Sequence, residues 1–123
     1  MADARKSLGK AGEELAERYL KRQGYAIVER NYRCPLGEID LIAIDKRAVV
    51  FVEVKTRRVD TSGAPLESVN GAKQRRLKRV ALHYLNRHHL HDRDVQFDVV
   101  GISLRSQPPA VRHVRHAFDF SEP

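Results

Sequence analysis

The chain has 123 residues, 32% of them charged and 41% apolar, and a formal net charge of +7. Residues 1–123 suffice for one domain with a modest core burying about two-thirds of the unfolded surface, and the composition excludes a disordered chain. With no apolar run near the ~20 residues of a membrane span, no secretory signal in Met1-Ala-Asp-Ala-Arg-Lys6 and a single cysteine, Cys34, that allows no internal disulfide, the expected location is the cytoplasm, away from membranes.

From about Lys6 to Arg22, Leu8, Ala11, Leu15, Tyr19 and Leu20 recur at near-helical spacing, with Ser7 placed to cap the start and Gly24 to close the end. Tyr25 to Arg30 reads as a strand, and Asn31 to Gly37 as a loop punctuated by Pro35 and Gly37. Ile39–Ile44 and Val49–Val54 are apolar and β-branched, separated only by Asp45-Lys-Arg-Ala48, and predict a hairpin. Arg58 to Gly71 predicts a long mobile loop leaving the hairpin. Ala72 to Asn86 predicts a second helix, Val95 to Leu104 a strand and, after Pro108-Pro109, Val111 to Phe118 an exposed edge strand. The order α-β-β-β-α-β-β predicts an α/β fold, a mixed sheet with helices packed on it.

The hairpin holds the main chemical signal. A two-residue loop at Lys46-Arg47 sets Asp40 opposite Glu53, Ile42 opposite Phe51, Ile44 opposite Val49 and Glu38 opposite Lys55, all on one face. The other face carries Ile39, Leu41 and Ala43 against Val50, Val52 and Val54. Two opposed carboxylates repel, by about 0.2–1 kcal/mol when exposed and by more when desolvated. Lys55 can neutralise part of that charge, and a divalent cation more. Asp followed by Glu-x-Lys on the adjacent strand suits metal-assisted phosphodiester hydrolysis, in which oxygen ligands hold a hard cation and a lysine sits beside the attacking water. A salt-bridge cluster on a solvated sheet face is the competing reading of the same residues.

Around the hairpin stand Gly9-Lys-Ala-Gly-Glu-Glu-Leu-Ala16 with Tyr19-Leu20, Gly24-Tyr25, Arg30-Asn-Tyr-Arg33, Gly37-Glu-Ile-Asp-Leu-Ile42, Phe51-Val-Glu-Val-Lys-Thr-Arg57, Lys73 and Phe97-Asp-Val-Val100. In this order the chain resembles the YraN family of small bacterial proteins, within the PD-(D/E)xK nuclease superfamily. It departs from the superfamily signature in having Ile39 where the name-giving proline would stand, a position that is not a ligand.

The resemblance implies a restriction-endonuclease-like fold and hydrolysis of DNA with Mg²⁺ or Mn²⁺. Asp40 and Glu53 would hold the metal, with the Val54 carbonyl as a further oxygen. Glu13 would support it through water, and Lys55 would position the nucleophile. Likeness to Holliday-junction resolvases implies branched DNA, and with it a homodimer, because junction cutting needs two active sites. The charge calls for an anionic partner, most economically nucleic acid, and RNA is the alternative to DNA. Arg57, Arg58, Lys73, Gln74 and Arg76 are candidate phosphate contacts, competing with the reading that they are solvated cations and polar groups. Glu38 pairs with Lys55 or joins the metal shell. Asp98, inside a strand, reads as a structural hydrogen-bond acceptor. His88, His89 and His91 lack the spacing of a helical zinc pair. Rival functions are a noncatalytic DNA- or RNA-binding module that kept the fold, and a ribosome-associated basic protein.

Overall fold

A computed structural model of the chain describes residues 4–57 and 69–120, with side chains from residue 8 onward. The elements are α1 (Ala4–Arg22), β1 (Ala26–Cys34), β2 (Gly37–Asp45), β3 (Ala48–Arg57), α2 (Gly71–Arg87), β4 (Val95–Ser103) and β5 (Ala110–Phe118). The strands form one mixed sheet in the order β1-β2-β3-β4-β5. Only β3 and β4 are parallel. Parallel neighbours need a crossover, and α2 lies within it. This is the α/β arrangement, in the element order, expected of the restriction-endonuclease-like fold. Among the described residues no helix is long and apolar enough to cross a membrane.

Alternation along β3 sends Val49 and Phe51 to one side and Val50 and Val52 to the other. The first side packs with Leu77, Val80, Ala81, Tyr84 and Leu85 of α2. The second packs with Ala16 and Leu20 of α1. Burying both faces explains why β3 reads as a nearly unbroken apolar run.

Three boundaries differ from the sequence reading. Helix α1 already begins at Ala4, so Ser7 lies inside it and does not cap it. Gly24 does close α1: its φ is 93°, its N–H bonds the Lys21 carbonyl and the Tyr25 N–H bonds that of Leu20. Strand β1 runs on to Cys34 through residues expected to form a loop, and the turn contracts to Pro35-Leu36. The expected mobile loop lies mostly outside the described residues. Its last part is ordered, with Val69 buried against the α2 cluster and the Asn70 side chain accepting the Lys73 N–H as N-cap of α2.

Helix α1 approaches β3 closely at one point. A Cβ added to Gly12 would fall 1.6 Å from Thr56 Oγ1, well inside contact distance. Gly12→Ala must push the helix off the strand and is expected to cost about 1–3 kcal/mol, measured as a lowered urea midpoint at unchanged m-value.

Candidate active site

The register of the hairpin builds the site. Strands β2 and β3 pair from Asp45–Ala48 to Leu41–Val52, as the two-residue loop requires. Beyond that point the sheet forks: β2 continues along β1 to Cys34–Gly37, and β3 along β4 to Arg57–Ser103. Asp40 and Glu53 are the first residues past the last ladder pair. On the β1 side, Arg30–Leu41 and Tyr32–Ile39 are paired, while Asn31 between them has a left-handed φ of 51°. The strands twist here, and Ile39 joins the α2 cluster with Tyr32 while Leu41 stays with α1. Strict alternation had put Ile39 and Leu41 on one face.

The fork opens a cleft of about 310 Å³ lined by Gly37, Glu38, Asp40, Glu53, Val54, Lys55, Lys73, Arg76 and Leu77. Asp40 and Glu53 are hydrogen-bonded to each other, and Asp40 Oδ2 accepts the Val54 N–H at 2.8 Å. Val54 thus meets the site through its N–H. Burial, reinforced by Glu53, pushes the Asp40 carboxyl up to about 9, so it carries the shared proton at neutral pH. Burial also acts to raise Glu53, but hydrogen bonds from Asp40 and Lys73 outweigh it and hold Glu53 below the usual range.

Lys73, in the first turn of α2, reaches over the fork and sets Nζ 2.5 Å from Glu53 Oε2. Burial acts to lower its pKa, but the bonds to Glu53 and Lys55 prevail and raise it, keeping Lys73 an ammonium. Lys55 is lowered, chiefly by its bond to Lys73 and then by burial. The repulsion expected of opposed carboxylates is therefore resolved by one shared proton and chiefly by Lys73, with Lys55 adding charge of the same sign as the sequence suggested.

The remaining candidates are placed as follows. Glu13 lines a neighbouring cleft with Lys10, Glu17 and Asn31. Burial raises its carboxyl against a hydrogen bond from Asn31, and it feels the charge of Glu38 and Glu53. Glu38 pairs with Arg33 at 3.1 Å across the β1–β2 ladder, and not with Lys55. Arg76 lines the main cleft beside Gly37. The Gln74 side chain donates to the Val69 carbonyl at 3.0 Å, and Arg57 sits at the end of β3. Arg58 lies outside the described residues. Among the described residues no three His, Cys, Asp or Glu side chains stand close enough to hold a metal together.

Asp98 is structural and has more partners than a strand aspartate announces. It is 1% exposed. Its Oδ2 accepts from Tyr25 Oη at 2.7 Å and from His113 Nε2 at 2.7 Å, and its Oδ1 from Gln96 Nε2 at 2.8 Å and the His116 N–H at 3.2 Å. His113 also meets Tyr19, whose Oη lies 3.2 Å from Nδ1, so the ring links α1 to Asp98. The sequence alone singles out neither His113 nor Tyr25 for such a role, and places Tyr19 only in the apolar spacing of α1. The one signal available was an aspartate in an otherwise apolar strand, which must find partners.

Fold and site together define a mixed α/β protein with a paired-carboxylate, paired-lysine cleft at a fork in its sheet. Residues 12–102 match the uncharacterised protein family UPF0102, and the chain belongs to that family, the one resembled in the YraN motifs. It is similar to the UPF0102 protein of Geotalea uraniireducens, 48% identical over 117 residues, covering 94% of this chain and 92% of the relative. The UPF0102 protein of Syntrophotalea carbinolica is 45% identical over 119 residues, 97% of each chain. That of Moorella thermoacetica is 48% identical over 107 residues, covering 87% of this chain and 89% of the relative.

Proposed function

We propose that this protein is a metal-dependent nuclease that hydrolyses phosphodiester bonds in DNA, with branched DNA the favoured form of substrate. The observation that carries the reading is the contact of Asp40 with Glu53 in a cleft that also holds Lys55 and Lys73. A purely structural sheet end does not require two carboxylates in contact, one of them forced to keep its proton.

The donor set fits a small hard cation. Mg²⁺ commonly takes one or two protein carboxylates and fills its remaining positions with water and substrate phosphate, so a third protein ligand is not needed. Asp40 and Glu53 would hold Mg²⁺ or Mn²⁺, which when bound supplies charge stabilisation at the phosphate and a more acidic water. Holding a cation would require Asp40 to release the shared proton to solvent. Lys55, its pKa lowered by Lys73 and by burial, orients the attacking water and stabilises developing charge on the phosphate. Lys73 stays cationic and turns from Glu53 to the phosphate, where it stabilises the developing charge. Arg76 at the cleft wall contacts an adjacent phosphate. Glu13 acts from the next cleft through water, as groups behind a metal site do. Two cuts in a junction call for two copies of the chain.

A cleavage assay on linear duplex, single-stranded and four-way-junction DNA, with Mn²⁺, Mg²⁺ or EDTA, tests this. We expect metal-dependent cutting, reduced at least about 100-fold in Asp40→Asn and in Lys55→Ala. Binding without cutting on every substrate, equal in all three proteins, would favour the noncatalytic module. The internal neutralisation of Glu53 by Lys73 is the observation on that module's side.

A further inference from the structure

Helix α2 carries six basic residues and no acidic one among its 17, Gly71–Arg87. Two are already engaged: Lys73 holds Glu53, and Lys78 is buried with Nζ 5.8 Å from the Phe118 ring centroid. Arg75, Arg76, Arg79 and Arg87 are exposed. Among the described residues none of these four has an acidic partner within ion-pair distance.

Such crowding works against the helix. Arg75 and Arg79 are an i, i+4 pair, and Arg76 and Arg79 an i, i+3 pair, of like charge and with no anion to relieve them. Elsewhere some surface cations are paired: Lys21 and Arg30 meet Glu17, Arg33 meets Glu38 and Arg115 meets Asp45. Others among the described residues, such as Arg18 and Arg47, stand singly, but α2 gathers four exposed arginines between Arg75 and Arg87 with no acidic residue on the helix, and a ligand polyanion would relieve that crowding.

Its geometry narrows the ligand. Arg75, Arg79 and Arg87 step by four and eight residues along the exposed side of α2, a stripe that turns about 120° around the helix from first to last. At a rise of about 1.5 Å per residue the stripe is about 18 Å long. Successive phosphates along one DNA strand are spaced about twice the axial rise of about 3.4 Å, so the stripe can meet about three phosphates, one for each arginine. It begins beside Arg76, which lines the Asp40–Glu53 cleft.

We propose that the exposed face of α2 is a docking track for one strand of duplex DNA, engaging about three phosphates on one side of the cleft through Arg75, Arg79 and Arg87. This deepens the nuclease reading and rests on it for the position of the scissile bond, but not for the binding itself. The track fixes the strand by charge alone and gives no sequence preference, since it reads phosphates and not bases.

The test measures binding of the full chain to a 20-base-pair duplex by fluorescence anisotropy in EDTA, across about 50–200 mM KCl. Wild type is compared with Arg75→Gln/Arg79→Gln/Arg87→Gln. A control, Lys10→Gln/Arg18→Gln/Arg22→Gln, removes the same charge from exposed positions of α1. Each phosphate contact contributes about 0.9 to the slope of log K against log salt, so the α2 variant is expected to lose about 2.7 from that slope. The α1 variant should keep the wild-type slope. All three proteins should melt as cooperatively as each other, because every altered residue is exposed. Equal loss in both variants would assign binding to net charge and overturn the track, as would an unchanged slope in the α2 variant. Cutting with Mn²⁺ is scored separately: binding that follows the track without cutting sinks the nuclease reading and leaves the track, and cutting that ignores the α2 arginines does the reverse.

Discussion

Asp98→Ala is expected to destabilise this protein by about 3–5 kcal/mol, the cost of removing one partner from a buried charged network. The four donors around the carboxylate come from Tyr25, Gln96, His113 and His116, and Tyr25 and Gln96 are buried with the carboxylate itself. Asp98→Asn should cost less. Its amide can face Tyr25 and His113, whose hydroxyl and ring nitrogen can each turn from donor to acceptor, while its carbonyl keeps Gln96 and the His116 N–H. Urea unfolding of both variants decides the order, and equal losses would mean that charge, and not hydrogen-bond count, sets the cost. The pH dependence has a definite sign. Burial acts to raise the Asp98 pKa, but hydrogen bonds from His113, Tyr25 and Gln96 prevail and lower it. A folded value below the unfolded one, about 3.9, means that the carboxylate's contribution is complete above that value. It is lost as pH falls through the lowered one. Asp98→Asn should therefore flatten the acid limb of the stability curve and leave the neutral region with a constant deficit.

The second large effect has the opposite direction. Asp40→Asn is expected to abolish cutting and to stabilise the metal-free protein. Asparagine reproduces the protonated acid, accepting from the Val54 N–H and donating to Glu53 without needing to hold a proton. In the wild type the Asp40 carboxyl is raised by burial and by Glu53 to about 9, so the folded state keeps a proton that the unfolded state releases near 3.9. Wild-type stability therefore falls as pH rises from about 4 to about 9, and Asp40→Asn escapes that fall. By pH 8 in EDTA the variant should lead by at least ~1.4 kcal/mol, the worth of one pKa unit. Thermal melts at pH 5 and pH 8 provide the check, and a lead that does not grow with pH would show that the pair shares no proton. A residue that weakens the fold where it stands is what a site kept for chemistry looks like.

Much of this site was legible because the hairpin is local. A two-residue loop and period-two alternation fix Asp40 against Glu53 over a separation of 13 residues, with no help from the rest of the chain. The same logic failed at Ile39, because the fork and the left-handed Asn31 break the alternation it relies on. It also failed at Glu38, whose register partner Arg33 lies on a stretch of β1 that Pro35 and Gly37 made look like loop. Lys73 was read as a phosphate contact, and its bond to Glu53 depends on how the β3–α2 crossover seats the helix, which no local pattern encodes. The Asp98 network is the extreme case. Its partners lie 2, 15, 18 and 73 residues away in sequence, and only the assembled sheet brings them together.

The two faces of the sheet are fastened by different means. On the α2 side a run of rings passes from Tyr32 to Tyr84, Phe51, Phe97 and Phe118, with centroids 4.7–5.8 Å apart at each step. On the α1 side, the polar seam tying Tyr19 and Tyr25 to β4 and β5 hangs on a single ionised group. Protons can loosen the second fastening and have little purchase on the first. Acid thus acts as a one-sided solvent for this molecule. Amide exchange should quicken first in α1 and β5 and last in β3 and α2. The half-open form carries Glu13 away with its helix and leaves the Asp40–Glu53 cleft in place, so the candidate site keeps its paired carboxylates on the half of the protein that is last to unfold.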